Sequence, residues 1–411
     1  PDVKFHDGSL VTPQDVKFSL DRVRSKDSNW SWIFSSISSI EATGENQITI
    51  NLSQPYAPLL SSLALFSASI LPEKAVTEKG EEFGNHPIGS GPFMFDEWKR
   101  GQSIVLKKNV DYWQKGKPYL DGVEFVQVPE DTTRILKLQS GEVDIASPIP
   151  FSSLDQLKAD SRLSVSVDPL SRVDMININT TKEPFNDKKI RQAMNYVIDK
   201  ELIIQSVLSG NGQPSASFLP PMMHFNDQLE GYKRDLEKAK QLMNESSKPN
   251  GFKTTLKIGS GDQIALQVAV IAKDQLAEIG IDVEIVQLDN GVKSDQVSKM
   301  DYDLAMMLLV SDIIDPDELT TFGVVSTGGI NSYYTGYTNE QVNELALKAQ
   351  GEIDEQKRKE MYFDIQKLVS EDAPFIFLYF TPSTSSKQTY VNGFEVLTTG
   401  SYRLEDVWLD K

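Results

Sequence analysis

The segment 173–213 constrains the fold more than any other part of the chain, because a strand, a polar turn and a capped helix follow one another in it. Its first apolar residues predict a buried strand: Met175, Ile176 and Ile178. Beyond an Asp187 cap, apolar residues recur at the spacing of one helix face: Ile190, Ala193, Met194, Val197 and Ile198. A strand followed at once by an amphipathic helix is typical of an α/β protein and by itself indicates no function.

Helical and strand periods alternate along the rest of the chain, without repeats or low-complexity stretches. A helix is predicted from about 264 to 279, where Gly280 ends it, and a strand follows from 281 to 288. Asp354 begins a charged helix through Leu368, and a buried strand is predicted from 375 to 380. Nearer the start, two further elements are predicted: a helix capped by Thr12 with Pro13 in its first turn, and a strand with Ile48, Ile50 and Leu52. This alternation predicts an α/β fold class and is compatible with parallel strand pairing.

Length, charge and cysteine content bound the function. The chain has 411 residues, which corresponds to about two or three domains of ordinary size. The absence of cysteine excludes disulfides, thiolate nucleophiles and cysteine zinc sites. A net charge of −18 argues against binding nucleic acid or docking on an anionic membrane through a basic patch. No apolar run approaches the roughly 20 residues that span a bilayer.

The spacing of histidines and the lack of catalytic sequence motifs favour a binding protein over an enzyme. The histidines His6, His86 and His224 are scattered, without the spacing of a metal-binding pair. The stretches 89–91 and 259–261 are too short for a GxSxG nucleophile elbow, and the sequence contains no GxxxxGK[ST] phosphate loop. A secreted hydrolase acting on peptide or glycoside stays an alternative, because two catalytic carboxylates need not be close in sequence. Turnover would distinguish such an enzyme from a receptor that binds without reaction.

The exact residues of the segment 173–213 carry more information than its hydrophobic periodicity. Its Asn-Thr-Thr turn, Pro-Phe-Asn-Asp and Ile-Arg-Gln-Ala-Met-Asn-Tyr-Val-Ile-Asp resemble the signature of the family 5 extracellular solute-binding proteins, the oligopeptide and dipeptide receptors of ABC importers. Other stretches are similar to the family's pattern in the same order: Val3–Gly8 with Thr12–Val16, Gly89–Phe93 with Trp98 and Asp111–Trp113, Asp131–Arg134 with Gly141–Ile145, and Asp301–Leu304 with Asp315-Pro316. The resemblance therefore covers nearly the whole chain.

The resemblance implies a two-lobed fold of the periplasmic-binding-protein type, with an extra subdomain and a hinge. On that template the parts are the extra subdomain 1–86, the first lobe 87–172, the second lobe 173–380 and a return to the first lobe at 381–411. The hinge lies near Arg172 and Thr381, and closure captures the ligand. An export signal and the start of the first lobe normally precede Val3, so the N-terminal part of the protein is expected to be missing.

The expected role is to capture peptides, most of all oligopeptides, and to deliver them to the membrane subunits of an ABC importer. By resemblance the protein is extracytoplasmic, as a lipoprotein on the cell surface or free in the periplasm, and contacts the membrane only through a lost lipid anchor. A monomer without cofactor or metal ion is expected. The same receptor role for a nickel chelate, a sugar or an opine stays open.

Asp312 is the residue that the resemblance singles out for ligand contact. In dipeptide-type receptors an aspartate three positions before an Asp-Pro pair holds the α-ammonium of the peptide, and Asp312 keeps that spacing to Asp315-Pro316. A buried ammonium needs a charged acceptor. The alternative is an aspartate that only shapes a turn or caps a helix before proline.

The other candidate ligand residues are polar and aromatic. Ser260 and Gln263 stand in the stretch where the dipeptide receptors carry an arginine for the peptide carboxylate, and this chain has none from Ile258 to Gln263. That departure favours a longer peptide held through its main chain as an added strand. Three further residues could line the site from a glycine-rich stretch: Asn331, Tyr333 and Tyr334. The alternative for these three is a core or turn role, and the alternative for Ser260 and Gln263 is a polar loop tip without ligand contact.

Overall fold

The computed structural model describes residues 2–224, 228–328 and 331–411, and only the backbone of Asn331. Its helices are α1 Pro13–Val23, α2 Leu59–Leu63, α3 Glu73–Lys79, α4 Asp131–Ser140, α5 Leu154–Lys158, α6 Lys188–Val197, α7 Lys200–Val207, α8 Leu236–Asn244, α9 Gln263–Ala277, α10 Asn290–Ser298, α11 Pro316–Gly323, α12 Asn331–Tyr334, α13 Glu340–Gly351 and α14 Glu355–Asp372. Its strands are β1 Ile37–Gly44, β2 Gln47–Leu52, β3 Phe93–Lys99, β4 Ser103–Lys108, β5 Gly122–Val126, β6 Ile145–Ala146, β7 Leu163–Asp168, β8 Arg172–Ile178, β9 Gln213–Pro214, β10 Phe252–Gly259, β11 Ile281–Leu288, β12 Leu304–Val310, β13 Phe375–Phe380, β14 Ser383–Gln388, β15 Val391–Asn392 and β16 Trp408–Leu409.

The chain divides into two compact units. Unit 1 comprises Pro1–Pro55, Leu59–Asp168 and Ser383–Lys411, and unit 2 comprises Tyr56–Pro58 and Pro169–Pro382. The main chain therefore passes into unit 2 after Asp168 and returns to unit 1 after Pro382. The finer division of unit 1 into an extra subdomain and a first lobe stays a prediction.

Unit 1 contains small antiparallel sheets. They are the hairpin β1-β2, the three-stranded sheets β3-β4-β5 and β6-β14-β7, and the pair β15-β16. The short helices α4 and α5 pack on β6 and β7 over an apolar cluster that includes Leu138, Leu154 and Leu157. Across residues 2–224, 228–328 and 331–411, no helix is long and apolar enough to cross a membrane.

Unit 2 is built on a mixed six-stranded sheet of order β11-β10-β12-β8-β13-β9. Strands β10, β11 and β12 run parallel, whereas β8 and β13 pair antiparallel with their neighbours. One face of the sheet packs against α13 and α14 through a core that includes Val173, Met175, Leu309, Phe375 and Phe377. Helix α9 packs on β10 and β11, as a crossover between two parallel strands must.

Most elements predicted from the sequence are confirmed. Thr12 and Asp15 form a capping box at α1, and Asp354 caps α14, which runs four residues beyond Leu368 to Asp372. Strands β11 and β13 have the predicted bounds, and β13 is buried along its whole length. Helix α6 begins behind Asp187 as predicted but ends at Val197. Ile198 lies in an extended link because Asp199 caps the next helix, α7.

Candidate functional site

The connections of the unit 2 sheet define a crevice between the carboxyl ends of β10 and β12. The chain leaves β10 through α9 toward β11 on one side, and it leaves β12 through α11–α14 toward β13 on the other. In open α/β sheets, ligands bind where neighbouring strands send the chain in opposite directions. The two strands pair only at Leu256 with Leu304 and Lys257 with Ala305, and they separate beyond that point. The loops after β10 and β12 therefore flank an open gap.

The loop after β10 holds two of the predicted residues, Ser260 and Gln263. Both are exposed, and the backbone N–H of Ser260 donates to the carbonyl of Leu288 at 2.7 Å. At the flanking Gly259, a Cβ would lie 2.3 Å from the side-chain Oδ1 of Asn290 at the start of α10, so a larger residue there would displace that side chain. Asp262 then caps α9 by accepting from the N–H of Ala265 at 2.9 Å.

The loop after β12 holds Asp312, on the other side of the crevice. Its side chain is half-buried, and burial raises the pKa of the carboxyl group above its ordinary value. Within the described part of the chain, the Asp312 carboxylate accepts no hydrogen bond and forms no ion pair. A half-buried carboxylate without a partner can accept a cation, because such a group is costly to leave unpaired.

Beneath this loop lies Glu318 of α11, which is 5% exposed. Its Oε2 accepts from the Ser311 hydroxyl at 2.7 Å and from the backbone N–H groups of Asp312 and Ile313 at 3.0 and 3.1 Å. Burial raises the pKa of Glu318 to about 7, against the lowering effect of these donors. Helix α11 is itself fixed, since Asp315 at its N-cap binds Arg358 of α14 through two hydrogen bonds of 2.7 and 2.9 Å.

Lys293, on α10, lies in the gap between β10 and β12. Its Nζ donates to the carbonyl of Met306 at 3.0 Å, just past the point where the two strands separate. Burial lowers the pKa of this amine, and the charge of Asp262 partly offsets that effect. Among the residues that the structure describes, no carboxylate oxygen lies within ion-pair distance of Nζ. Among the described residues, the crevice thus holds the Lys293 amine, which reaches β12 from α10 without a carboxylate partner, and the unpaired Asp312 carboxylate in the loop after β12.

Tyr333 also reaches the gap, because its hydroxyl donates to the carbonyl of Leu308 at 2.9 Å. Carbonyls two residues apart on a strand point the same way, so the Tyr333 hydroxyl and the Lys293 amine occupy the same free edge of β12. Ser332, Tyr333 and Tyr334 have φ of 48°, 50° and 61°, which makes α12 a left-handed turn. The Tyr334 ring lies 5.6 Å from that of Tyr333, and the side chain of Asn331 is outside the described residues.

The signature segment of the sequence holds this turn and its neighbours in place. Asn177 Nδ2 donates to the carbonyl of Tyr333 at 2.9 Å, and the backbone N–H and hydroxyl of Thr180 donate to the carbonyl of Thr335. Arg191 donates to the carbonyls of Phe185, Asp372 and Ala373. Asn177 and Thr180 of this segment therefore support the turn that carries Tyr333.

The two predicted hinge residues lie at the start of β8 and just after β13, beside the chain crossings. Arg172 binds the buried carboxylate of Asp174 through Nε at 2.9 Å and Nη2 at 2.6 Å, and the hydroxyl of Thr381 donates to the same carboxylate. Burial disfavours the charge of Arg172, but Asp174 outweighs it and raises the pKa of the guanidinium. Asp174 thus joins both strands at this edge. Their part in a hinge stays a prediction.

Two compact units, with chain crossings that include those after Asp168 and after Pro382, and a crevice at the carboxyl ends of a mixed sheet define the fold class of the periplasmic solute-binding proteins. Residues 1–331 match the family model of the bacterial extracellular solute-binding proteins, family 5 Middle, and the chain belongs to this family. The resemblance noted in the sequence is confirmed. Proteins of this family are substrate-binding receptors of ABC transporters and not enzymes, so the expectation of a receptor is also confirmed.

Individual relatives are similar over the whole chain. The glutathione-binding protein GsiB of Pectobacterium atrosepticum is 30% identical over 415 residues, which cover 99% of this chain and 81% of GsiB. The periplasmic binding protein DppA of Helicobacter pylori, solved with the peptide STSA, has a TM-score of 0.88 and 29% identity over 100% of this chain and 85% of its own. The PBP AgaA of A. tumefaciens R10, solved with agropinic acid, has a TM-score of 0.88 and 28% identity over 100% of this chain and 86% of its own.

Proposed function

We propose that this protein captures peptides with a free α-ammonium group outside the cytoplasm and delivers them to an ABC importer. The observation that carries the proposal is the Asp312 carboxylate, which is half-buried, without a partner among the described residues, and located at the crevice of unit 2. An incoming ammonium would give this charge its counter-ion. The half-buried amine of Lys293 is available for an anionic group of the same ligand.

The relatives support a peptide-like ligand. GsiB binds glutathione by its name, and DppA was solved with a peptide. The edge of β12 beyond the Lys257–Ala305 pair faces no paired strand, so a peptide can add there as a strand and compete with Lys293 and Tyr333 for the carbonyls of Met306 and Leu308. In this mode main-chain bonds supply affinity independent of side chains. Ser260, Gln263, Tyr333 and Tyr334 would then border the ligand, with Asn331 next to them in sequence.

The test compares ligands that differ only at their amino end. Tetraalanine and N-acetyl-tetraalanine are titrated into the full chain by calorimetry, and the peptide is recovered afterwards and checked for cleavage. We expect stoichiometric binding of intact tetraalanine with an affinity at least about tenfold above that of the acetylated peptide, since a charge-assisted contact is lost. Equal affinities, or hydrolysis, would refute the proposal.

An opine-like ligand is the second candidate, favoured by the likeness to AgaA. Mass spectrometry of the purified protein, native and then denatured, identifies any small molecule released on unfolding. Release of peptides supports the first candidate, whereas release of an opine keeps the receptor role and removes peptides as the cargo.

The remaining parts of the proposal concern the whole receptor. We propose that the chain works as a monomer, that Arg172 and Thr381 belong to a hinge whose closure stabilises the bound ligand, and that a lipid anchor holds the protein at the cell surface. Free periplasmic protein is the alternative to the anchor. Fractionation of producing cells, followed by detection of lipid on the N-terminal peptide, distinguishes the two.

A further inference from the structure

The turn that carries Asp312 depends on a second carboxylate. One oxygen of Glu318 receives two consecutive backbone N–H groups of the turn, those of Asp312 and Ile313, together with the Ser311 hydroxyl. Successive N–H groups that converge on one oxygen fix the local backbone in the manner of an anion-binding nest. The direction in which Asp312 leaves the main chain is therefore set by Glu318.

The support beneath the turn is rigid. Glu318 is on α11, whose N-cap Asp315 is bound bidentately by the buried Arg358, and the Thr320 hydroxyl donates to the Pro316 carbonyl at 2.7 Å. A ligand-binding side chain keeps its geometry when the residues behind it are locked by packing and hydrogen bonds. Glu318 is thus the link between a fixed helix and the turn that carries Asp312.

The two carboxylates are also close enough to affect each other. Asp312 is among the groups that raise the pKa of Glu318, after burial itself. Like charges at short range make a cation more favourable between or beside them. Arg358, which anchors the start of α11, is already engaged by Asp315.

We infer that Glu318 is a positioning residue of the ligand site: it holds the Ser311–Ile313 turn so that Asp312 faces the ligand ammonium, and it thereby sets the preference for ligands with a free amino group. The inference rests on the proposed function. A carboxylate that only stabilised the fold would affect all ligands alike, whereas a positioning residue changes the preference between amine and acetylated amine.

The test uses Glu318→Gln and Glu318→Leu in the full chain. Gln keeps an oxygen that can accept the two N–H groups, and Leu removes the acceptor. Each variant is titrated with tetraalanine and N-acetyl-tetraalanine, and the ratio of the two dissociation constants is recorded. Asp317→Asn is the matched control, because Asp317 is buried on the same helix but contacts Tyr56 and Thr321 and not the turn.

We expect Glu318→Leu to reduce the ratio by about tenfold, mainly through tetraalanine, with partial rescue in Glu318→Gln and the wild-type ratio in Asp317→Asn. In an Asp312→Asn background, Glu318→Gln should no longer change the ratio. Equal loss of affinity for both peptides, or an unchanged ratio in both Glu318 variants, would overturn the inference alone. A wild-type ratio near one would overturn it together with the proposed function. If Glu318→Leu does not fold, the isosteric Glu318→Gln variant and its combination with Asp312→Asn test the inference.

Discussion

At the scale of single residues, the burial of the Asp312 carboxylate is unfavourable in the protein without ligand. The carboxylate is half-buried without a partner among the described residues, and burial raises the pKa above the ordinary value. The folded state therefore binds the proton more tightly than the unfolded state does, and stability falls as the pH rises through the folded pKa. In the proposed function, a bound ligand ammonium would offset this unfavourable burial.

Asp312→Asn is expected to weaken tetraalanine binding by about thirtyfold. This loss of affinity is at the lower end of the range for removing one partner of a buried charge pair, because Asp312 is only half-buried. Folding should be unaffected, and the unfolding midpoint of the empty protein at pH 7 should stay equal or rise, since an unpaired charge is removed. Calorimetry and denaturant unfolding measure the two effects. Unchanged affinity for tetraalanine would remove Asp312 from the site.

We propose that Lys293 recognises the carboxyl end of the ligand. Lys293→Met keeps the length of the side chain but removes the charge, and we expect about tenfold weaker binding of tetraalanine with little change for tetraalanine amide. Lys253→Met is the control, because Lys253 is exposed at the opposite end of the same sheet. Equal loss for the acid and the amide would mean that Lys293 only supports the Met306 carbonyl.

The sequence predicts some of these residues and not others for a physical reason. Asp312 can be identified from nearby sequence, through its spacing to Asp315-Pro316. Lys293 and Glu318 cannot, because their roles depend on the register of β10 against β12 and on the packing of α11 under a loop. An isolated lysine or glutamate on a helix is most often a solvated surface residue, and only the fold separates these two from the rest.

At the scale of elements, the buried pair Asp315–Arg358 ties α11 to α14. Its side chains are 8% and 9% exposed, and two hydrogen bonds join them. Removing one partner of such a pair leaves an uncompensated buried charge.

Arg358→Met is therefore expected to destabilise the protein by about 3–5 kcal/mol, measured as the free energy of unfolding in urea. Arg162→Met is the matched control: Arg162 pairs with Asp160 at 2.6 Å but is exposed, and it should change stability little. A small effect of Arg358→Met would show that α11 is held by its apolar contacts alone. Restoring stability with the added change Asp315→Asn would confirm that the lone charge is the cause.

The sequence predicts elements whose start or end is marked by neighbouring residues, but not elements whose conformation depends on contacts with residues distant in sequence. The capped start of α1 and the buried strand after Pro374 follow from residues next to them in sequence. The left-handed turn at 332–334 has no such mark, since three successive non-glycine residues with positive φ are costly. Asn177, 156 positions earlier, helps to hold it through the Tyr333 carbonyl. The order of strands in the unit 2 sheet likewise depends on contacts between residues that are far apart in sequence.

At the scale of the whole molecule, buried ionisable groups shape the dependence of stability on pH. Glu318 has a folded pKa of about 7, raised from 4.5 by burial, so its contribution to stability is present below about pH 4.5 and is lost by about pH 7. The contribution of Lys200 to stability changes with pH in the opposite direction. Lys200 is 3% exposed, its Nζ donates to the carbonyl of Ser215 at 2.6 Å, and burial lowers its pKa from 10.5 to about 7.

Between pH 7 and 10.5 the unfolded chain holds the Lys200 proton while the folded protein has released it, so stability rises with pH, by up to about 1.4 kcal/mol per pH unit. Lys200→Met should remove this rise, seen as a flatter free energy of unfolding between pH 7 and 9.5. The lost bond to the Ser215 carbonyl adds a cost that is the same at every pH and does not alter the slope.

The control is again Lys253→Met, because Lys253 is exposed and the removal of its side-chain amine should leave the slope of wild type. An unchanged slope in Lys200→Met would mean that Lys200 stays protonated in the fold and that the rise, if present, has another source. The slope separates these outcomes without reference to the ligand, since all samples are unfolded and refolded in buffer before measurement. The pH response of the fold can thus be assigned apart from that of the Asp312–Glu318 site.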